Sequence, residues 1–322
     1  MFSGLVFWAS CLGSAVLLAG LVLIRKEFAA ARGLDKVILL GFPFEAAPLA
    51  VFSMEHLLTP RALMGMVPSW IPAPLFWTYF VGFALLAAAL SFTARKQLRW
   101  SALLLAIMFF IFVATMDIPG VIANAKARLP WTLMLRESAF AGGALALAGW
   151  ARQQNVRQNN VRQDNLQISK TMIAIGRTCV AVALIVYSIE HFVFPKFAPG
   201  VPLPKMTPGW VPLPEFWAYA VGVVLLVAGV AMLFNWRTQT AAASVGLVMA
   251  FLTLFLYFPI YVKELGTADA LEGLNYVGDT LFFGGTVLLI GIAASQSRRQ
   301  VRVTEFQDVE LAADPDSSAL RR

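Results

Sequence analysis

Residues 68–82 read PSWIPAPLFWTYFVG, and residues 208–222 read PGWVPLPEFWAYAVG. Nine of the fifteen positions are identical: Pro68, Trp70, Pro72, Pro74, Phe76, Trp77, Tyr79, Val81 and Gly82 stand again as Pro208, Trp210, Pro212, Pro214, Phe216, Trp217, Tyr219, Val221 and Gly222. Identity this dense marks an internal duplication, and a duplication decides the architecture before any single element is read. The match extends on both sides. Glu55, His56 and Pro60 return as Glu190, His191 and Pro195, Leu85 and Leu86 as Leu225 and Leu226, Pro119 as Pro259, and Gly142 with Gly143 as Gly284 with Gly285. The second copy holds five extra residues in its first loop.

The chain of 322 residues is 59% hydrophobic and only 13% charged, with a mean hydropathy of +0.73. An ordinary soluble domain is about 45–50% apolar and about 25% charged, so a soluble globule is excluded. The apolar residues fall in runs of about 20, the length a helix needs to cross the hydrocarbon core. A membrane barrel would alternate over segments of about ten residues instead. The predicted fold is all-α and polytopic, with nine transmembrane helices near residues 5–24, 37–58, 75–93, 100–118, 131–150, 171–193, 214–234, 240–262 and 276–295. The first run is read as a retained span, because no basic segment precedes it and Arg25 and Lys26 follow it.

An odd number of crossings puts the termini on opposite sides. Of the 25 Lys and Arg, 17 fall in segments after odd-numbered spans, among them Arg25, Lys26, Arg95, Lys96, Arg157, Lys170 and the tail arginines. Positive residues stay cytoplasmic, so the N-terminus is placed outside and the tail in the cytoplasm of a plasma (inner) membrane. The net charge of +7 and the pI near 9.6 are thus topology signals, and the expected partner is the lipid bilayer rather than nucleic acid. The segments are an N-terminal span and loop (1–34), a first four-helix repeat (35–150), a polar cytoplasmic linker (151–169), a second repeat (170–295) and a polar tail (296–322) with too little apolar content to fold by itself. Four spans per unit give both units one orientation. Such a parallel repeat, about an axis along the membrane normal, differs from the inverted repeats of many transporters.

Each repeat's first helix ends on the outer side at an acid followed by a histidine, Glu55-His56 and Glu190-His191, and these are the only two histidines. An ionisable side chain at that depth is costly unless paired or wetted, which makes it a functional candidate. Histidine titrates near neutral pH and a neighbouring carboxylate raises its proton affinity, so one reading is proton handling beside a quinone or similar redox ligand. The other is a structural pair bonding the loop and the last helical carbonyls. One Glu and one His per repeat are too few for a closed metal site, and a bis-histidine haem would need both outer ends to meet, so no metal centre is expected. Trp70, Trp77, Trp210 and Trp217 stand at headgroup depth, either as an aromatic belt or as the lining of a pocket for a flat apolar molecule.

Further polar groups at the same level are Asp117, Arg136 and Glu137 in the first repeat and Tyr257 and Asp279 in the second. Arg136 is expected to neutralise neighbouring carboxylates, since a lone buried charge is expensive. Glu45 lies deeper on the broad helical face of Glu55, flanked by Pro43 and Pro48, which should loosen the helix. Arg177 is expected to snorkel to the cytoplasmic edge. Residues 67–74, rich in proline, should form a rigid connection that lies on the surface or re-enters. Gly142 with Gly149, and Gly284 with Gly291, are spaced for close helix packing. Cys11 and Cys179 lie within apolar spans and read as small hydrophobes. No phosphate-binding loop, dinucleotide fingerprint or zinc spacing is present.

His191-Phe192, Pro195, Phe197, Pro208, Trp210, Pro212, Gly222, Leu225-Leu226 and Phe258-Pro259 resemble the pattern of the DoxX-like membrane proteins, and His56, Pro60, Pro68, Pro72, Gly82 and Pro119 repeat it. The resemblance covers both repeats and omits the first span, linker and tail. It implies a four-helix membrane unit in a group that includes subunits linked to thiosulfate and quinone oxidoreduction. Relatives often carry an acid three residues after the matching glycine, where Leu85 and Leu225 stand here, so that position has no chemistry to transfer. The functional expectation is an integral subunit or accessory protein of a redox system, binding quinone or another apolar ligand near the outer face with a redox partner subunit. A non-catalytic scaffold or lipid-interacting protein is the main alternative, and a small-solute transporter the third.

Overall fold

The computed structural model describes residues 2–158 and 163–313. Its helices are α1 (Phe2–Ala30), α2 (Leu34–Leu39), α3 (Gly41–Leu58), α4 (Pro60–Leu63), α5 (Pro74–Ala94), α6 (Leu98–Phe112), α7 (Ile118–Ala123), α8 (Arg128–Gln158), α9 (Gln163–Val193), α10 (Pro214–Leu233), α11 (Thr238–Leu252), α12 (Phe258–Glu264) and α13 (Ala270–Ala313). Single π turns, Val113–Asp117 and Thr253–Tyr257, join α6 to α7 and α11 to α12. Each lies just before a proline, Pro119 or Pro259, whose missing N–H and ring displace the regular hydrogen-bond ladder. Among the described residues, eight stretches are long and apolar enough to cross a membrane: Gly4–Ala30, Leu34–Leu58, Pro74–Ala94, Leu98–Ala123, Leu166–Val193, Pro214–Leu233, Thr238–Glu264 and Ala270–Ser295. The chain is thus a multi-pass membrane protein. Helix α8, with 31 residues, spans about 46 Å at 1.5 Å per residue. Arg136 and Glu137, near its middle, lower its hydropathy and keep it out of that set.

The packing order closes on itself. Helix α3 packs on α5, α5 on α6, α6 on α8, α8 on α9, α9 on α10, α10 on α11, α11 on α13, and α13 back on α3. Across the middle α8 meets α13, where Phe140 and Phe282 stack with centroids 4.0 Å apart. In the apolar stretch of α13, 83% of the residues are buried, against 28% in α1, so α13 is the spine and α1 is an outrigger on α3. Arg95, at the end of α5, clamps α1 through both oxygens of Glu27 at 2.5 and 2.6 Å.

Helix α8 runs on to Gln158 and α9 begins at Gln163, so much of the polar linker is helical extension. No Gly or Pro interrupts residues 150–175, and Gln and Arg are good helix formers. For the same reason α13 continues through polar sequence to Ala313. Residues 159–162 of the linker and 314–322 of the tail lie outside the described residues.

The two proline-rich loops share their geometry at the helix start. Ala73 and Leu213 both adopt left-handed backbone (φ 56° and 50°), each immediately before the proline that opens the next helix. Residues 67–73 and their counterparts 207–213 lie on the surface. Earlier in the second loop, which is the longer by five residues, residues 198–203 are buried, so that this part re-enters the bundle.

Gly142 and Gly149 make the close approach expected of them. A Cβ on Gly142 would sit 2.7 Å from both the Gly176 carbonyl oxygen and Cys179 Cβ, and one on Gly149 would sit 2.8 Å from the Ser169 carbonyl oxygen. Neither backbone can yield without separating α8 from α9. Gly142→Val is expected to destabilise the protein by about 1–3 kcal/mol or more through overpacking, read as a lowered Tm in detergent. Gly120→Val is the control, since nothing lies within 4 Å of a Cβ there.

Candidate functional site

Adjacent residues on a helix point about 100° apart, so Arg136 and Glu137 of α8 leave the helix in different directions. Arg136 reaches α13, where its Nη1 donates to Asp279 Oδ2 at 2.8 Å. Its Nη2 lies 3.6 Å from Glu137 Oε1. The guanidinium is also 6.0 Å from the centroid of Phe140, one turn along the same helix. Arg136 and Asp279 are both largely enclosed, with side-chain exposures of 17% and 9%.

Two further acids converge there. Asp117 sits on the π turn before α7, and its carboxyl lies beside that of Glu137; Asp117 Oδ2 and Glu137 Oε2 are buried without a hydrogen-bond partner among the described residues. Glu55, buried at the end of α3, lies near Asn275 and Asp279, and its Oε1 has no hydrogen-bond partner among the described residues. Asp117, Glu137 and Asp279 thus share one guanidinium inside the bundle, and Glu55 stands beside Asp279. With all four acids ionised the cluster would carry a net charge of −3 in a low-dielectric interior, which is costly.

Glu190 belongs to a separate pair. Its carboxylate accepts from Thr132 Oγ1 at 3.2 Å and lies 3.6 Å from Arg128 Nε. Arg128 also donates to the Leu203 carbonyl and stands 3.9 Å over the Phe197 ring, tying the re-entrant loop to α8. Tyr187 links the two groups of charges: its hydroxyl donates to the Thr132 carbonyl at 2.9 Å while the ring lies between Arg136 and Glu190 in the buried interior.

The two histidines differ. In both, Nδ1 bonds the carbonyl one turn back, Phe52 for His56 (2.8 Å) and Tyr187 for His191 (2.6 Å). Since a carbonyl can only accept, Nδ1 carries the hydrogen. His191 Nε2 then accepts from the Gly200 N–H at 2.9 Å, which occupies both nitrogens and fixes a neutral ring. His56 is half-buried, and its Nε2 has no partner among the described residues.

The tryptophans do not join the acids. Trp70, Trp77, Trp210 and Trp217 are 71%, 41%, 42% and 37% exposed, and the indoles of Trp77 and Trp217 donate to the carbonyls of Pro72 and Pro212 at 3.1 Å each. They face away from the bundle. Tyr257 is buried, with its hydroxyl donating to the Pro199 carbonyl at 2.8 Å, so it anchors the re-entrant loop. Glu45 is fully buried against α13 and accepts from Thr286 Oγ1 at 3.1 Å. Two open spaces are present elsewhere. A groove of about 910 Å³ runs between α1 and the α12–α13 connection, past Ser10 and Tyr261, and a cavity of about 420 Å³ lies at the opposite end of the bundle. Neither is lined by Glu55, His56, Glu190, His191 or these tryptophans.

The partners Thr132, Tyr187, Asn275 and Thr286 were not singled out by sequence. Their signal was that of isolated polar residues within apolar helices. Comparison with protein-family models finds no match, and comparisons with curated proteins and with solved structures find none.

Proposed function

We propose that the chain is a DoxX-like integral membrane protein with nine crossings, built from two parallel four-helix units, that serves a redox system as a proton-exchanging subunit or accessory protein. Its ligand in this reading is a quinone or another apolar molecule near the outer face, and its electrons pass through a redox partner subunit. The N-terminus is outside a plasma (inner) membrane and the tail is cytoplasmic.

Support for the two-unit reading comes from contacts that repeat reciprocally. The fourth helix of each unit packs on the first helix of the other, α8 on α9 and α13 on α3. Phe140 and Phe282, equivalent when Gly142 is matched with Gly284, stack on one another, as residues on a two-fold axis must. The π turns, the left-handed residues before Pro74 and Pro214, and the indole bonds of Trp77 and Trp217 recur at matched positions.

The observation that carries the functional reading is the gathering of four enclosed acids about one guanidinium, three beside Arg136 and Glu55 beside Asp279, an arrangement suited to holding protons inside the membrane. A quinone that takes up two electrons also takes up two protons. Glu55 lies beside this cluster and the neighbouring His56 keeps Nε2 unbonded among the described residues, so the first unit is the proposed site of exchange. Glu190 and His191 keep a supporting role, because their polar atoms already hold the loop.

Titration of the purified protein with a quinone analogue tests this. Saturable binding is expected, weakened at least roughly tenfold by His56→Ala and by Glu55→Gln, as loss of a charge-assisted hydrogen bond implies. Absence of saturable binding to the parent protein removes the redox assignment. A scaffold or lipid-interacting protein is the second reading, favoured by the outward tryptophans, and it predicts that neither substitution alters any ligand affinity.

A further inference from the structure

The cavity of about 420 Å³ at the linker end of the bundle lies between α8, α9, the α10–α11 turn and α13. Its floor is apolar, and Lys170, Arg177, Gln153, Asn235, Thr238 and Gln239 line its walls. No Asp or Glu lines it. Asp35 bonds Gln239 at 2.7 Å from outside the lining. Neither Lys170 nor Arg177 takes part in an ion pair among the described residues, and Arg177 Nε is buried without a hydrogen-bond partner. Two cations and three amide side chains around an empty concavity form a donor-rich site with nothing negative in it.

The first unit shows what this space looks like when it is filled. When Glu55 is matched with Glu190, the counterpart of Arg177 is Phe42. Phe42 is buried, packs against Trp150 with centroids 6.4 Å apart, and lies under Arg95, whose charge is taken by Glu27 of α1. The second unit has no counterpart of α1, an arginine in place of the phenylalanine, and an open cavity.

We propose that this cavity binds a phosphate-bearing anion, with a phospholipid headgroup of the adjoining leaflet as its source. Arg177 and Lys170 hold the phosphate oxygens. Gln153, Asn235 and Gln239 donate to the remaining oxygens, and the acyl chains leave along the apolar surface of α9. A basic pocket between helices at headgroup depth is the geometry that selects anionic lipid. The site is independent of the acid cluster and of any redox role.

The test uses the full chain in nanodiscs of phosphatidylcholine alone, of phosphatidylcholine with phosphatidylglycerol, and of phosphatidylcholine with inorganic phosphate in the buffer. Phosphatidylglycerol is expected to raise Tm, and native mass spectrometry should retain one such lipid. Arg177→Gln with Lys170→Gln should abolish both effects, whereas Arg177→Lys should keep part of them. Protection by inorganic phosphate alone, lost in the same double variant, supports the anion site and assigns it to a soluble phosphate. If neither anion stabilises the parent, or if the double variant responds as the parent does, the proposal is overturned. Should the double variant fold poorly, Gln153→Leu offers a milder probe and is expected to weaken lipid retention at unchanged Tm in phosphatidylcholine.

Discussion

Arg136→Met is expected to destabilise the protein by about 3–5 kcal/mol, the cost of stripping the counter-charge from a buried ion pair. The size follows from what the guanidinium leaves behind. Asp279, 2.8 Å away, loses its donor, and Glu137 and Asp117 lose the positive charge they share. Most of the loss should be recovered by adding Asp279→Asn, because the double variant removes the orphaned acid along with the cation. Arg136→Lys should fall between, since an ammonium keeps the charge but cannot fork toward Asp279 and Glu137 together. Thermal unfolding in one detergent, run on all four proteins of the Arg136/Asp279 cycle, measures the coupling directly. A coupling energy near zero would mean that the two side chains are neighbours without being partners, and the acid cluster would lose its organising centre.

The cluster was legible in the sequence only as a collection. Asp117, Arg136, Glu137 and Asp279 stand out because charges in apolar helices are rare, and the duplication placed them at one level. That Arg136 would bond an acid of the other unit, on α13, depends on α8 crossing α13 at Phe140 and Phe282. Hydropathy has no information on that crossing. The π turns were hidden for a related reason: Pro119 and Pro259 announce that the ladder is disturbed, but a π turn, a kink and a break share that signal. Helical periodicity was also a poor guide to facing, since spans such as α5 and α10 are apolar all round and sort their faces by fit. The grouping of Trp70 and Trp210 with the acids failed on this point. The loops that carry them lie on the surface, and depth in the membrane says nothing about direction. The linker and tail illustrate the converse, for polarity marked them as exposed while the absence of Gly and Pro let α8, α9 and α13 run on as helix.

The histidines are expected to separate cleanly by their response to truncation. His191→Ala removes the acceptor of the buried Gly200 N–H, and an orphaned buried donor costs about 1–3 kcal/mol before any loss from the void is added. That bond fastens a loop also held by Tyr257 at Pro199 and by Arg128 at Leu203. Hydrogen exchange should therefore rise across residues 198–203 while the helices stay protected. His56→Ala breaks only the bond to the Phe52 carbonyl, an acceptor at the half-buried edge of α3, and should lower stability by less than about 1 kcal/mol. The same substitution should weaken the quinone analogue. His191→Ala should leave that affinity within a factor of about two, because the ring it removes has no free nitrogen to offer a ligand. The five additional residues of the second loop account for the contrast, for they supply the backbone donor that the shorter first loop cannot bring to His56. If His56→Ala is the destabilising variant, or if His191→Ala alone abolishes ligand binding, the imidazole that exchanges protons lies in the second unit, and the loop over it must open for the ligand to enter.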